Sequence, residues 1–86
     1  MKYEYDENKS LSNKQKHAID FEEAKELWND NRLLEIKTSF SAEERYVNIG
    51  KIKNKFYTAV ITYREDKVRI ISIRRSRQKE IEIYES

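Results

Sequence analysis

The chain has 86 residues, of which 40% are charged and 37% hydrophobic, and its formal net charge at pH 7 is +2. This length predicts one domain, residues 1–86, with a simple core. The sequence contains no cysteine, which excludes disulfides, thiolate metal sites and a cysteine nucleophile. It also shows no secretion signal and no apolar run long enough to cross a bilayer, so we expect a cytoplasmic protein without a membrane partner.

Charge is distributed unevenly along the chain. Residues 64–79 contain seven basic side chains and only two acidic ones. A local basic cluster suits an anionic partner such as a nucleic acid, although a solvated surface beside acidic neighbours is an equally ordinary interpretation. The net charge alone is too small to decide between them.

Local signals predict a short strand and two helices at the start of the chain. Residues 3–5 are prone to form a strand, and Asp6 is suited to cap a helix over residues 7–17. A second helix, over residues 21–29, has a capping box and a continuous apolar face. The box is formed by Asp20 and Glu23, and the face by Phe21, Ala24, Leu27 and Trp28.

From residue 32 onward, apolar and polar residues alternate with a period of two, which indicates strands joined by short turns. The predicted strands are residues 32–37, 45–50, 56–63 and 68–73, with a loop at residues 38–41 and turns at 53–55 and 64–66. The last strand is apolar on both faces and is predicted to be central. Ser76 is predicted to cap a final helix that reaches about residue 84.

These elements predict an α+β fold, because short connections between strands favour antiparallel neighbours. We expect two N-terminal helices and a C-terminal helix on an antiparallel sheet of three to five strands.

The first helix has an unusual polar stripe instead of an apolar one. Lys9, Asn13, Lys16 and His17 fall on one helical face. Such a stripe is usually solvated, but it can also form part of a functional surface.

Residue types exclude several kinds of catalytic site. One glycine cannot make a phosphate-binding glycine loop, and one histidine without cysteine cannot make a usual zinc site. The acidic residues are scattered, so we expect neither a two-metal site nor any other metal or cofactor.

The residues present suit cleavage of RNA, whose 2′-hydroxyl is an internal nucleophile. A protein must then accept one proton, donate another and stabilise charge on the phosphate. His17 and Glu44 are candidate proton-transfer groups. Candidate phosphate-binding groups are Lys9, Lys16, Arg45, Arg74 and Arg75.

Specific segments resemble the BrnT family of toxins. Residues 5–9, Asn13 and residues 16–17 are similar to the signature W-D-E-x-K-x-x-x-N-x-x-K-H-G, and residues 21–24 match an F-E-E-A helix start. Further similar segments are Glu44-Arg45 before residues 47–50, residues 69–75, Glu80 and Tyr84-Glu85. The resemblance covers nearly the whole chain.

The resemblance implies a RelE-like endoribonuclease that inhibits translation. It also implies a BrnA-like antitoxin with a ribbon-helix-helix domain, operator DNA bound through that antitoxin, and a possible homodimer within the complex. On this basis we expect two sets of functional residues. The catalytic set is Lys16, His17, Glu44, Arg45 and Arg74, and the RNA-binding set is Lys9, Asn13, Arg69, Arg75 and Tyr84. We further expect the first helix and the end of the central strand to meet in one groove, although alternation places Arg74 and Arg75 on opposite faces.

The sequence departs from the family pattern at two positions. Tyr5 replaces a tryptophan, and Ala18 replaces the glycine that follows His17. A left-handed helix cap is expected at residue 18, where a side chain costs roughly 1 kcal/mol unless the helix ends differently. Two alternatives to the enzyme stay open: a non-catalytic module that binds RNA or an antitoxin, and a structural partner in a repressor complex.

Overall fold

The computed structural model describes residues 2–39 and 42–86 of the chain. In chain order, its elements are β1 (Lys2–Glu4), α1 (Glu7–His17), α2 (Phe21–Ala24), a 3₁₀ helix (Lys25–Asn29), β2 (Leu34–Ser39), β3 (Arg45–Ile52), β4 (Lys55–Arg64), β5 (Lys67–Arg75) and α3 (Gln78–Glu85). The fold is α+β, and the five strands form one sheet in the order β1-β5-β4-β3-β2.

The sheet is mixed, so the prediction of a purely antiparallel sheet is wrong. Strands β2 to β5 form an antiparallel meander, but β1 pairs in parallel with β5, from Lys2 opposite Lys67 to Glu4 opposite Arg69. A parallel pair needs a long connection, and here the helices and three strands lie between the two partners. A short turn predicts antiparallel pairing only between the two strands that it joins, and no short turn joins β1 to β5.

The N-terminal helices begin where the sequence predicts. The Asp6 carboxylate accepts hydrogen bonds from the N–H groups of Asn8 and Lys9, at 2.8 and 3.2 Å. Asp20 and Glu23 form the expected capping box. The second helix, however, tightens into 3₁₀ geometry after its first turn. In a 3₁₀ helix residues three apart lie in line, and Ala24 and Leu27 are both fully buried.

Two further boundaries differ from the sequence prediction. Strand β2 continues through Thr38 and Ser39, which were expected in a loop, because the ladder resumes at Ser39 opposite Arg45 after an irregularity. The remaining loop positions, 40 and 41, lie outside the described residues. Ser76 is not a helix cap, since its hydroxyl is hydrogen-bonded to that of Thr58 at 2.8 Å.

The main core lies between the N-terminal helices and one face of the sheet. It consists of Ile19, Phe21, Ala24, Leu27, Ala59, Ile61, Val68, Ile70 and Ile73. The opposite face carries α3, whose Tyr84 ring packs on that of Phe56 with centroids 5.6 Å apart. The apolar helical face predicted from sequence is confirmed, with Trp28 half-buried against Tyr3.

Candidate functional site

A groove lies where α1 crosses the free edge of β5. Its described lining is Lys9, Ser12, Asn13, Lys16 and His17 from α1, and Ile71 and Ser72 from β5. The free edge exists because β1 pairs only with the first three residues of β5. The α1–β5 groove therefore brings the predicted polar stripe against the strand that carries the basic cluster.

Asn13 fixes α1 to this edge. Its side-chain amide donates to the carbonyl oxygens of Ile19 and Ile73, at 2.8 and 2.9 Å, and its carbonyl oxygen accepts from the N–H of Ile73 at 3.3 Å. Ile73 thus has both backbone groups paired, as it would beside another strand. Both amide hydrogens of Asn13 are engaged and the residue is only 7% exposed, so Asn13 positions the groove.

A β-bulge in β5 shapes the other wall. Ile61 and Val60 of β4 stand opposite Ile70 and Ser72, so Ile71 is an extra residue without a partner on β4. Bulges bend a strand and redirect its side chains. As a result Ile71 and its neighbour Ser72 both line the groove.

The groove contains basic side chains that have no acid partner among the described residues. Lys9, Lys16 and His17 are exposed, and none forms an ion pair with a carboxylate in residues 2–39 or 42–86. Lys16 lies in the final turn of α1, where the partial negative charge of the helix terminus favours a cation. Lys14 differs, because it pairs with Glu23 at 2.7 Å.

The chain leaves α1 through a left-handed residue. Ala18 has φ 62° and ψ 22°, and its N–H donates to the carbonyl of Lys14 at 2.9 Å. The cap expected from the family pattern is therefore formed despite the replacement of glycine. This cap sets the direction in which the chain turns after His17.

The β5 arginines lie outside the described lining of the groove. Arg69 and Arg74 stand opposite Thr62 and Thr58 of β4, which places them on the same face as Ser72. Both are held by acids: Arg69 binds Glu4 at 3.0 Å, and Arg74 binds both oxygens of Glu80 at 2.8 and 2.7 Å.

Arg75 points to the other face, as alternation predicts. Its guanidinium lies 5.6 Å from the centroid of the Tyr57 ring, which stands opposite it on β4. None of the three arginines of β5 is among the described residues that line the α1–β5 groove.

Glu80 organises the contact between α3 and the sheet. Its carboxylate also accepts from the Thr58 hydroxyl at 3.0 Å and the Arg77 N–H at 2.7 Å. The hydrogen bonds from Arg74 outweigh the opposing effect of burial and, with those from Arg77 and Thr58, lower the pKa of Glu80 to about 2. Glu80 therefore stays ionised near neutral pH, and Arg74 remains paired with it.

Three predicted site residues lie elsewhere. Glu44 is paired with Lys37, and Arg45 lies 3.7 Å from Glu43, at an end of β3 that β4 separates from β5. The Tyr84 hydroxyl donates to Asp30 at 2.6 Å, and burial together with this bond raises the pKa of Tyr84 to about 12.

Sequence reasoning missed Ser12, Ile71 and Ser72 as parts of the groove. The only signal for the bulge is the pair of adjacent apolar residues Ile70 and Ile71, a pattern that equally suits a strand buried on both faces. The sequence indicates Glu80 only as one of the positions that resemble the family, because its contacts with Thr58 and Arg77 arise from the packing of α3.

The chemistry of the groove favours a phosphate. Two ammonium groups and an imidazole can neutralise and protonate an anion, and the described lining contains no carboxylate. In the described ranges no cluster of three or more His, Asp or Glu residues is placed to hold a metal ion.

None of the helices in the described part of the chain is long and apolar enough to span a bilayer.

Comparison with known proteins identifies the family. No curated protein matches the chain. The family model described as the ribonuclease toxin BrnT of type II toxin–antitoxin systems matches residues 5–80, a span that includes both walls of the groove. The chain therefore belongs to the BrnT family of ribonuclease toxins.

Proposed function

We propose that this protein is an endoribonuclease toxin that cleaves RNA in the α1–β5 groove by attack of the 2′-hydroxyl on the adjacent phosphate. The observation that carries the proposal is the convergence of Lys9, Lys16 and His17, none of them paired with a described carboxylate, on one wall of a groove. An ion-paired surface would have little capacity left for a phosphate.

The proposed reaction needs two proton transfers. The His17 imidazole accepts the 2′-hydroxyl proton as the 2′-oxygen bonds to phosphorus, and the Lys16 ammonium donates a proton to the departing 5′-oxygen. Lys9 stabilises the added negative charge on the phosphate, and Asn13 keeps α1 in place. The products are a 2′,3′-cyclic phosphate and a free 5′-hydroxyl.

The proposal gives the other predicted residues lesser roles. Arg69 and Arg74 flank the groove on the Ser72 face and add positive potential there while bound to their acids. No step is assigned to Glu44, Arg45 or Tyr84, because their contacts lie at other parts of the fold.

We also propose that the reaction proceeds without a metal ion. Lys9 and Lys16 repel a divalent cation from the position that suits a phosphate. The nucleophile belongs to the substrate, so a metal-bound hydroxide is unnecessary.

Membership of a type II toxin–antitoxin family implies an antitoxin partner. We propose a BrnA-like antitoxin that contributes a ribbon-helix-helix domain, binds operator DNA and holds two toxin copies in the complex. We also propose that the protein is related to the RelE toxins, that it acts in the cytoplasm, and that it inhibits translation by destroying RNA.

Cleavage of a short RNA by the purified protein in the presence of EDTA tests the catalytic proposal. We expect His17→Ala to lower the rate roughly 10²- to 10⁴-fold, as is typical for loss of a positioned acid or base. Gln15→Ala is the matched control, since Gln15 is an exposed α1 residue outside the described groove lining.

The analysis of product ends separates the alternatives. Cyclic phosphate ends that require His17 support the mechanism. Equal rates in both variants would exclude it, and tight RNA binding without any cleavage would favour the non-catalytic module.

A further inference from the structure

We propose that Tyr57 and Arg75 form a nucleotide subsite that holds a base of single-stranded RNA beside the phosphate bound in the α1–β5 groove. This inference rests on the proposed function, because it concerns the same substrate. It adds a binding position on the opposite face of β5 from Arg74.

Arg75 is the basic residue of β5 that remains available. Lys67 and Arg69 both lie near Glu4, and Arg74 is bound to Glu80. Arg75 is exposed and makes no ion pair with any acid in the described ranges. A phosphate can therefore bind its guanidinium without first breaking a contact that stabilises the fold.

The Tyr57 ring supplies a surface for stacking. Tyr57 is only partly buried, and the Arg75 guanidinium already lies 5.6 Å from its ring centroid. Aromatic rings and guanidinium planes are the two side-chain surfaces on which unpaired RNA bases stack. The pair thus offers stacking and phosphate binding at one point.

The subsite is continuous with the groove. Tyr57 and Ala18 line the same cleft, and Ala18 directly follows the groove residue His17. Ser72 and Arg75 are three residues apart on β5, a separation of about 10 Å along a strand. An extended RNA strand can span this distance with neighbouring nucleotides.

The surrounding charge also favours an anionic strand, because one of the two acids nearby is already neutralised. Lys53 and Lys55 of the β3–β4 hairpin line the cleft, together with Glu23 and Glu26. Glu23 is paired with Lys14, which leaves more positive than negative charge along this path.

Binding of a short single-stranded RNA with 2′-O-methyl groups tests the subsite, because this RNA lacks the nucleophile and stays intact. We expect Arg75→Gln to weaken binding roughly five- to tenfold and to reduce the salt dependence by about one phosphate contact. Arg32→Gln removes an exposed charge elsewhere and should change affinity less than about twofold.

A second measurement isolates stacking. A series of RNAs, each lacking the base at a different position, is compared for binding to the wild type. Affinity should fall for the RNA that lacks the base held at the subsite. Tyr57→Leu, which keeps an apolar side chain against the core, should abolish this difference between positions.

The outcomes distinguish the two proposals. If Arg75→Gln binds RNA as tightly as Arg32→Gln, the subsite is excluded even when cleavage occurs. If Arg75→Gln weakens binding of polyglutamate but not of RNA, the site serves an acidic protein and the inference is wrong. RNA binding that depends on Arg75, without cleavage of unmodified RNA, supports the subsite and contradicts the catalytic proposal.

Discussion

Single side chains decide how α1 is placed and how it ends. Asn13 satisfies two backbone groups at the edge of β5 and the carbonyl of Ile19, and Ala18 adopts the left-handed conformation that terminates the helix. Both positions belong to the stretch that resembles the family signature. Their observed contacts indicate that part of this signature maintains the position of Lys16 and His17.

Ala18→Gly should stabilise the protein, because glycine adopts positive φ without the steric penalty of a Cβ atom. We expect a gain of roughly 0.5 to 1 kcal/mol in the free energy of unfolding, after allowing for the more flexible unfolded chain. The corresponding rise in Tm is roughly 2 to 8 °C, measurable by thermal denaturation.

Gln15→Gly provides the matched control for that measurement. The same residue type, placed inside α1, should destabilise by roughly 0.5 to 1 kcal/mol. A lower Tm for Ala18→Gly would show that the left-handed cap does not form in solution.

At the scale of elements, one carboxylate attaches the start of α3 to the sheet. Glu80 is 19% exposed at its side chain and binds groups from β4, β5 and the residue before α3. The Phe56–Tyr84 contact and the Tyr84–Asp30 hydrogen bond support the other end of the helix.

The lowered pKa of Glu80 predicts how stability depends on pH. Its pKa is about 2 in the folded protein against an ordinary value of 4.5, so ionised Glu80 stabilises the fold above pH 4.5. This contribution should be lost as the pH falls from 4.5 towards 2. We expect it to amount to roughly 3 kcal/mol at neutral pH.

Denaturation of the wild type and Glu80→Gln across this pH range measures the effect. Other carboxylates also titrate there, since the pKa values of Glu22, Glu23 and Asp30 are lowered, but they are common to both proteins. The stability difference should shrink on acidification. A difference independent of pH would mean that Glu80 acts through packing alone.

Across the whole molecule, the basic side chains divide into two groups. One group is paired with acids and includes Arg69, which joins β5 to Glu4 of β1. The other has no acid partner among the residues that the structure describes; it includes Lys9, Lys16, His17 and Arg75 in the groove and its continuation, and also side chains elsewhere such as Arg32 and Lys79. Only the second group is available for a phosphate without loss of existing contacts.

This division predicts that two substitutions, each removing one positive charge, affect different properties: one lowers stability and the other lowers cleavage. Arg69→Gln should lower the free energy of unfolding by about 1 kcal/mol with little change in RNA cleavage. Lys16→Gln should strongly reduce cleavage and change stability by less than about 0.5 kcal/mol. Unfolding and cleavage assays on the same preparations provide both readouts, and the reverse pattern would refute the division.

Much of the fold was predictable because its signals are local. The Asp6 cap and the Asp20–Glu23 capping box involve residues within three positions of each other, so sequence spacing alone specifies them. The four strands of the meander follow from alternation and short turns. Family membership also follows from sequence, since the matching segments occur in order along the chain.

The sequence by itself determined the α+β class, the starts of the two N-terminal helices and the family. Tertiary structure decided that β1 joins the sheet in parallel, that Ile71 forms a bulge, and that Arg74 binds Glu80 while Arg75 lies on Tyr57. The physical reason is that these features depend on contacts between residues distant in the chain or on which face of a strand a side chain occupies. Composition and spacing describe which charges exist, but only packing determines which of them are already neutralised.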